Sequence, residues 1–559
     1  MKHSMRTLAL LLVLCLLVGS LSSCFTFSDW VEPLSELETE LGSDSTEESG
    51  SVDKDPSNPS GLPSVLAYDL TRGYVVDFID HLETCEELTL AGTDTDAIEA
   101  AWEKTEEMYY HIGTQMQVAY VLLCVDETNE EYSEAYLKSS ELHGDAYHAY
   151  MEVCRTIDQS NSPYRDEFFL DWTESEIQKM REYSKDSADL GLRNDEILVE
   201  YRELDLGTQQ QEMMTLYREF VQNANQIALM EGYENYYDYA TDSVYERGYG
   251  RWERLAFRRY VKDYLPQLIK ITYEKLSENI NSLGFFQYKV VTDFIFEPYD
   301  ELGQDYVGEY LDSFDGDTRA RMQLMFDSEH SLFTDSANAY PGAFTTRLHE
   351  YDTTFCYFGP DYQSIQTVVH EMGHFYAAEC DESSMERLDL AETHSQGNEW
   401  LLMAFLDQEL SSKVYETVFY YQLYEALCTI VVSTIVDEFE EGVYTRDVQD
   451  LDAWMQTVCA GYGGIDFLET YAVSDIQMYW KHVVIQSPVY YLSYAVSGVA
   501  ALSLYTVADT DYEAGQELYC RLVEDADLSN SYPEILAEAG LASPFEDTVY
   551  EYLRLLFLN

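Results

Sequence analysis

The sequence predicts a mostly α-helical protein that carries one small β element. Apolar residues recur with the 3.6-residue period of helices over most of residues 65–559. Clear examples are 96–127, 209–231 and 489–507. One segment differs, because Thr353–Phe358 is rich in β-branched and aromatic residues and stops at Gly359-Pro360, which is typical of a strand. A chain of this length can build one large core or two moderate ones.

The first residues predict export from the cytoplasm. Residues 1–23 combine a basic start at Lys2 and Arg6 with an apolar run that is short for a membrane span, a pattern typical of a signal peptide. The run leads into Leu21-Ser22-Ser23-Cys24, which resembles the bacterial lipobox, in which the cysteine becomes the lipidated N-terminus. We therefore predict lipidation of Cys24, with a plain secreted protein and a coincidental cysteine as the alternative.

Residues 24–64 predict a disordered acidic tether behind the lipid anchor. This stretch is rich in Ser, Glu, Asp, Gly and Pro and cannot bury enough apolar surface to order itself. We expect the tether to hold the folded part outside the cytoplasm, lipid-anchored to the bacterial cell membrane and without other contact to that membrane.

The charge of the chain narrows its possible partners. Lys and Arg total 32 against 104 Asp and Glu, a formal net charge of −72. So large a negative charge argues against binding to nucleic acid and against adsorption on anionic lipid. It also suggests some attraction for cationic peptides.

We expect the folded chain to have two parts. Residues 65–190 predict a helical N-terminal lobe without recognisable chemistry, and residues 191–559 carry the candidate catalytic residues. Of the 10 cysteines, Cys15 and Cys24 belong to the export region. The others are scattered without a Cys-x-x-Cys pair, which favours buried free thiols over disulfides.

A metal-binding motif lies at His370-Glu371-Met372-Gly373-His374. On a helix the two histidines are one turn apart on one face and can bind one zinc ion, while Glu371 stands beside it as a general base. With 11 histidines in the chain, this pattern is expected by chance only about 0.03 times, so histidines that merely decorate a helix are a poor explanation. We predict one Zn²⁺ per chain.

A catalytic zinc needs a third protein ligand, and residues 390–400 offer the best candidates. On a helix, Glu392, Ser395 and Glu399 share one face at i, i+3 and i+7, whereas His394 points elsewhere. We predict that Glu392 is the ligand and that Ser395 and Glu399 orient the site through hydrogen bonds, with Glu399 as the alternative ligand. The plain interpretation of each glutamate is a solvated surface residue.

Two further segments suit a hydrolytic site. The predicted strand could pair with the main chain of an extended peptide, or form no more than a structural hairpin. Downstream, Pro488 suits the first turn of a helix on which Tyr491 and Tyr494 share a face. Their phenols could donate to a developing oxyanion, although in a chain with 48 tyrosines an aromatic core is the plain alternative.

Several motifs, taken together, resemble one known family. They are Pro341-Gly342-Ala343-Phe344, His370-Glu371-Met372-Gly373-His374, Ala391-Glu392-Thr393-His394-Ser395 with Glu399, Ser487-Pro488-Val489-Tyr490-Tyr491-Leu492-Ser493-Tyr494, and the C-terminal segments 532–536 and 539–545. In this order they look like the oligoendopeptidase F and thimet oligopeptidase family of zinc peptidases, and the match extends from about residue 200 onward. The resemblance implies a nearly all-helical, two-lobed shell around a deep channel with zinc on its floor, acting on short peptides.

The resemblance also assigns roles to single residues. It gives zinc ligation to His370, His374 and Glu392, the role of base to Glu371, and oxyanion stabilisation to Tyr491 and Tyr494. The family places a histidine shortly before these tyrosines, and His482 is the candidate here, a residue or two out of register. The interval from His374 to Glu392 is shorter than in many members, which keeps Glu399 open as a ligand. The export signal departs from the mostly cytosolic relatives.

The predicted function is that of a zinc-dependent endopeptidase, an oligopeptidase that cuts internal bonds of short peptides outside the cytoplasm. In this prediction Glu371 takes a proton from a water molecule that the zinc has activated. We expect a monomer. Two alternatives stay open: a helical zinc aminopeptidase, whose Gly-x-Met-Glu-Asn strand is absent here, and a peptide-binding lipoprotein without catalysis.

Overall fold

The computed structural model describes residues 62–170, 172, 177–178, 180–181, 185–296, 301–360, 362–473 and 475–558. The predicted signal peptide (1–23), the lipidation site Cys24 and the tether as far as residue 61 lie outside the described residues. The export and lipid-anchor hypotheses therefore stay predictions.

The described residues between 72 and 324 are mostly helical. The helices are α1 Arg72–Ala91, α2 Thr95–Val125, α3 Glu130–Gln159, α4 Arg165–Phe168, α5 Lys185–Arg202, α6 Gln210–Met230, α7 Tyr236–Tyr239, α8 Arg251–Ser282, α9 Phe285–Phe296, α10 Glu301–Asp312 and α11 Gly316–Leu324. Polar side chains cap the N-termini of α1 and α2. The Thr71 side chain accepts a hydrogen bond from the Tyr74 amide, and the Asp94 side chain accepts one from the Ala97 amide.

A small three-stranded sheet follows these helices. Its strands are β1 Ser331–Phe333, β2 Ala343–Leu348 and β3 Thr353–Phe358, and β3 lies in the middle. It pairs parallel to β1 and antiparallel to β2, with Ala343 opposite Phe358. The strand predicted over Thr353–Phe358 is confirmed, and β2 forms one edge of the sheet.

The remainder of the chain is again helical. Its helices are α12 Ile365–Cys380, α13 Leu388–Glu409, α14 Ser412–Thr445, α15 Leu451–Cys459, α16 Ile465–Tyr471, α17 Ile476–Val483, α18 Leu492–Ala508, α19 Tyr512–Glu524, α20 Tyr532–Ala539 and α21 Thr548–Leu558. The predicted mostly α-helical class with one small β element is confirmed.

Buried apolar side chains form two main cores in the described residues. One is made from α1 to α3 and the segment up to Met180, and the other from Ile197 to Leu553. A third cluster joins α2 to the sheet. The lobe boundary predicted at residue 190 falls inside α5, so the chain passes between the two main cores within a continuous helix.

α14 is the described helix that has the length and apolar composition a membrane span requires. However, 78% of its most apolar window is buried inside the protein. The core helix of a globular domain has the same properties, so this helix is weak support for a membrane span.

The cysteines of the described residues are all free thiols. Cys380 and Cys520 are partly exposed and the others are buried. Burial raises the pKa of Cys124 and of Cys154 to about 12. These two side chains are therefore neutral, small apolar groups in the core at neutral pH.

A buried histidine makes the stability of the N-terminal core depend on pH. His143 of α3 contacts the Tyr109 hydroxyl of α2, and burial lowers the pKa of its imidazole to about 4. An unfolded histidine titrates near 6.5, so below that pH the unfolded chain binds more protons and the free energy of unfolding falls as the pH drops. The loss is about 1.4 kcal/mol per pH unit between about pH 6.5 and 4.

We expect a His143→Gln variant to lose less stability on acidification than the parent. The difference between pH 7 and pH 5 should be about 2 kcal/mol in favour of the variant. Urea unfolding followed by circular dichroism at both pH values measures it. An equal loss of stability in the two proteins would contradict the role given to this histidine.

Candidate metal centre

The zinc motif lies on α12. The Ser364 hydroxyl caps the helix by accepting from the Thr367 amide, and the apolar residues around the motif are buried. Because His370 and His374 are one turn apart, their rings project from the same face, with centroids 5.0 Å apart and planes at 76°. The pair is therefore arranged as two neighbouring donors and not as a stack.

A close helix crossing brings α13 to this motif. A Cβ atom on Gly373 would lie 2.6 Å from the Cα of Ser395 and 2.7 Å from the carbonyl oxygen of His394, so the approach requires glycine at this position. Asn398 fixes the crossing, because its Nδ2 donates to the Val369 carbonyl at 2.7 Å. This crossing carries Glu392 to the histidines.

The structure brings His370, His374 and Glu392 together. Their ligand atoms all lie within 4.8 Å of one another, and all three residues are buried. Glu392 Oε2 is 3.6 Å from His370 Nε2 and 3.7 Å from His374 Nε2. Two ligands of one tetrahedral zinc lie about 3.4 Å apart, so these residues fit a zinc ion with little adjustment. Imidazole nitrogen and carboxylate oxygen are also ligand types that zinc binds in proteins.

Glu399, the alternative ligand, lies behind His370. Its Oε1 accepts from His370 Nδ1 at 2.6 Å, and its Oε2 accepts from the side-chain amides of Gln366 and Gln422, each at 2.8 Å. A carboxylate can only accept here, so Nδ1 carries the proton and the lone pair of Nε2 is available to a metal. The contacts of Glu399 are those of a residue that orients a ligand.

The protonation states of the cluster suit a metal. Burial alone would raise the pKa of Glu392, but its hydrogen bond with His370, the nearby imidazoles of His374 and His370, and the Tyr490 hydroxyl together bring the pKa below its ordinary value. Burial lowers the pKa of His374 to about 4 against a smaller opposing effect of Glu392. At neutral pH the carboxyl is therefore ionised and the imidazole neutral, as metal ligands must be.

Glu371 is buried beside the sheet. Its Oε2 accepts from the Thr345 hydroxyl of β2 at 2.7 Å. Edge strand β2 therefore lies on the side of the site that carries the candidate base. Ser395 packs against the candidate ligand instead, since its hydroxyl donates to the Glu392 carbonyl at 3.1 Å.

The tyrosines differ from their sequence-based placement. The prediction that a helix begins at Pro488 is wrong, because α18 begins at Leu492 and Val489 has a φ of 60°. Tyr491 and Tyr494 are buried neighbours with ring centroids 5.6 Å apart. The hydroxyl that reaches the candidate ligand belongs to Tyr490, which donates to Glu392 Oε1. Sequence reasoning missed this residue because helical periodicity from Pro488 favours the pair three residues apart.

His482 lies in the last turn of α17 and is partly buried. Its main-chain carbonyl accepts from the Tyr201 hydroxyl at 3.0 Å. Burial lowers the pKa of its imidazole, against a smaller opposing effect of Asp475. Its catalytic role stays a prediction.

Comparisons with known proteins find similarity in structure only. No family model matches the chain, and no curated protein matches it significantly in sequence. A structure of PZ peptidase A with inhibitor 2 superposes with a TM-score of 0.70 at 14% identity, covering 88% of this chain and 97% of that one. A putative oligoendopeptidase F from Bacillus anthracis str. Ames superposes with a TM-score of 0.67 at 15% identity, covering 88% of this chain and 96% of that one.

A carboxypeptidase also shares the fold. Metallocarboxypeptidase 1 of Trypanosoma cruzi gives a TM-score of 0.51 at 13% identity, covering 86% of this chain and 99% of that one. At such identities the similarity establishes the fold. This fold is the helical one found in oligoendopeptidase F structures, so the fold that the sequence resemblance implied is confirmed.

Proposed function

We propose that the protein is a zinc-dependent metallopeptidase that acts on short peptides. The observation that carries the proposal is the buried cluster of His370, His374 and Glu392, with Glu371 on the helix that carries the two histidines. Two imidazoles and a carboxylate leave one position of a tetrahedral zinc open, which is the arrangement of catalytic zinc sites. The shared fold with peptidase structures supports the same conclusion.

The chemistry follows from the residues of the site. A zinc ion held by His370, His374 and Glu392 would polarise the scissile carbonyl and a water molecule. Glu371, whose Oε2 accepts the hydrogen bond of Thr345, takes the proton of that water as the water oxygen adds to the carbonyl carbon, and then gives the proton to the leaving amine as the C–N bond breaks. The buried setting makes these charge interactions stronger than they are in water.

Further residues orient the reacting groups. Glu399 holds the ring of His370, and Tyr491 and Tyr494 supply phenols for the oxyanion that develops on the carbonyl. His482 is proposed to assist them from the end of α17. Edge strand β2 can pair with the main chain of an extended substrate, which selects peptides by backbone and not by sequence.

We further propose that the enzyme is an endopeptidase. An edge strand beside the base binds extended chain on both sides of the cut, and that favours cleavage of internal bonds over removal of single residues. The net charge of −72 favours cationic peptides over acidic ones. We place the enzyme outside the cytoplasm, lipid-anchored through Cys24 to the bacterial cell membrane and monomeric.

Digestion of a defined peptide mixture tests the proposal. The purified protein should cut internal bonds, a zinc chelator should stop the reaction and added Zn²⁺ should restore it, with products identified by mass spectrometry. Peptides blocked at the N-terminus or at the C-terminus separate the alternatives. Loss of single residues from one free end only would identify an exopeptidase. Absence of cleavage by the zinc-loaded protein would favour the alternative of a peptide-binding protein without catalysis.

A further inference from the structure

A strained turn lies directly before the tyrosine that contacts Glu392. Val489 has a φ of 60°, in the left-handed region that β-branched residues avoid. Such a conformation is unfavourable and persists only where the surroundings enforce it. Among the described non-glycine residues with positive φ, the others are Glu246 and Asp352, so Val489 is the β-branched one. Strain of this kind is characteristic of functional sites.

Three buried side chains enforce the turn, and we refer to Tyr245, Arg247 and Glu440 as the clamp. Glu440 Oε1 accepts from the Val489 amide at 3.0 Å, and Arg247 Nη2 donates to the Val489 carbonyl at 2.6 Å. The Tyr245 hydroxyl donates to the Pro488 carbonyl at 2.7 Å. Both peptide groups around Val489 are therefore held by buried side chains.

The clamp also joins the turn to α13, the helix that carries Glu392. Arg247 Nη2 donates to the Ser493 hydroxyl at 3.1 Å, and Ser493 in turn donates to Asp389. Arg247 Nε is 3.5 Å from the same carboxylate. Asp389 lies one helical turn before Glu392, so the turn and the candidate ligand belong to one connected set of buried contacts.

The turn presents Tyr490 to one oxygen of the ligand carboxylate. Tyr490 donates to Glu392 Oε1, while Oε2 is the oxygen that faces His370 and His374. A carboxylate can bind zinc through one oxygen or through both. A hydrogen bond that occupies Oε1 leaves Oε2 as the single donor atom and keeps a coordination position for the reaction.

We propose that Tyr490, aimed by the strained Val489 turn and its clamp, is a positioning residue that holds Glu392 in one-oxygen coordination. This inference rests on the proposed zinc centre and adds to it the residue that sets the coordination number. Tyr490 acts on the metal through Glu392, and Val489 acts by orienting Tyr490.

Metal binding by the full-length chain tests the inference without a peptide assay. We expect a Tyr490→Phe variant to unfold near the urea midpoint of the parent while its zinc affinity falls about 10- to 100-fold. With Co²⁺ as a spectroscopic probe, its visible bands should lose intensity as the coordination number rises. Tyr532→Phe is the matched control, since it removes a buried hydrogen bond to Thr393 of α13, the helix that carries Glu392. It should leave the zinc affinity and the Co²⁺ bands unchanged.

Val489→Gly separates positioning from stability. Glycine adopts positive φ without strain and keeps the main-chain hydrogen bonds of the clamp, so the variant should keep the aim of Tyr490 and the parental zinc affinity, while loss of the buried valine side chain lowers the urea midpoint. A Val489→Gly protein that loses zinc affinity as Tyr490→Phe does overturns the role of the clamp in holding the turn, and parental affinity and Co²⁺ spectrum in Tyr490→Phe overturn the whole inference. A parent that binds zinc but cuts no peptide refutes the proposed function alone.

Discussion

A Glu371→Gln protein should bind zinc as the parent does and lose peptide cleavage almost completely. The amide has nearly the shape of the carboxylate, and its oxygen can still accept the hydrogen bond of Thr345. It cannot take a proton from water. General base catalysis contributes about 10²- to 10⁴-fold, so kcat/KM should fall by at least that factor. The rate on a peptide found in the digestion, together with zinc content by mass spectrometry, measures both parts of the prediction.

Glu416→Gln is the control for this substitution. Glu416 is an exposed glutamate on α14, so its neutralisation should change neither rate nor zinc content. A Glu371→Gln protein that cleaves at the parental rate would remove Glu371 from the mechanism. Loss of zinc from that protein would instead make Glu371 part of the metal site.

The parts of the site that depend on local periodicity could be predicted from the sequence. His370 and His374 meet because a helix places residues four apart on one face, whatever surrounds it. The strand Thr353–Phe358 follows in the same way from its composition and from the break after it. The sequence predicts Glu392 as the ligand and keeps Glu399 as the alternative, because both lie on one face of α13 and periodicity does not separate them. The crossing at Gly373 decides which of them reaches the histidines.

Tyr490 shows why other parts could not be predicted. Propensity and the proline favour a helix from Pro488, and that helix would present the next tyrosines differently. The turn is imposed instead by Arg247 and Glu440, which lie 242 and 49 positions away from Val489. Contacts at such separations leave no local pattern, and a positive φ at valine runs against its own preference. Local rules fail here at a strained position beside the candidate site, where such failures are expected.

The two glutamates of α13 should behave differently when neutralised. Glu392→Gln removes the charge of the donor atom that lies 3.6 Å and 3.7 Å from the two Nε2 atoms, so zinc affinity should fall well over 100-fold. Glu399→Gln keeps the three donors and weakens only the acceptor of His370 Nδ1, so affinity should fall about 10- to 100-fold. Competition with a chromophoric chelator measures both values.

Thermal stability supplies an independent measure of the same difference. A ligand that binds only the folded state at 1,000 times its Kd stabilises that state by about 4 kcal/mol. Added Zn²⁺ should therefore raise the melting temperature of the parent, raise that of Glu399→Gln at higher concentration, and leave that of Glu392→Gln nearly unchanged. The reverse order would assign the third ligand to Glu399 and would require α13 to turn about its axis on binding metal. The close packing of Gly373 against Ser395 opposes such a rotation, so the melting order also tests whether this helix crossing is already set for the metal.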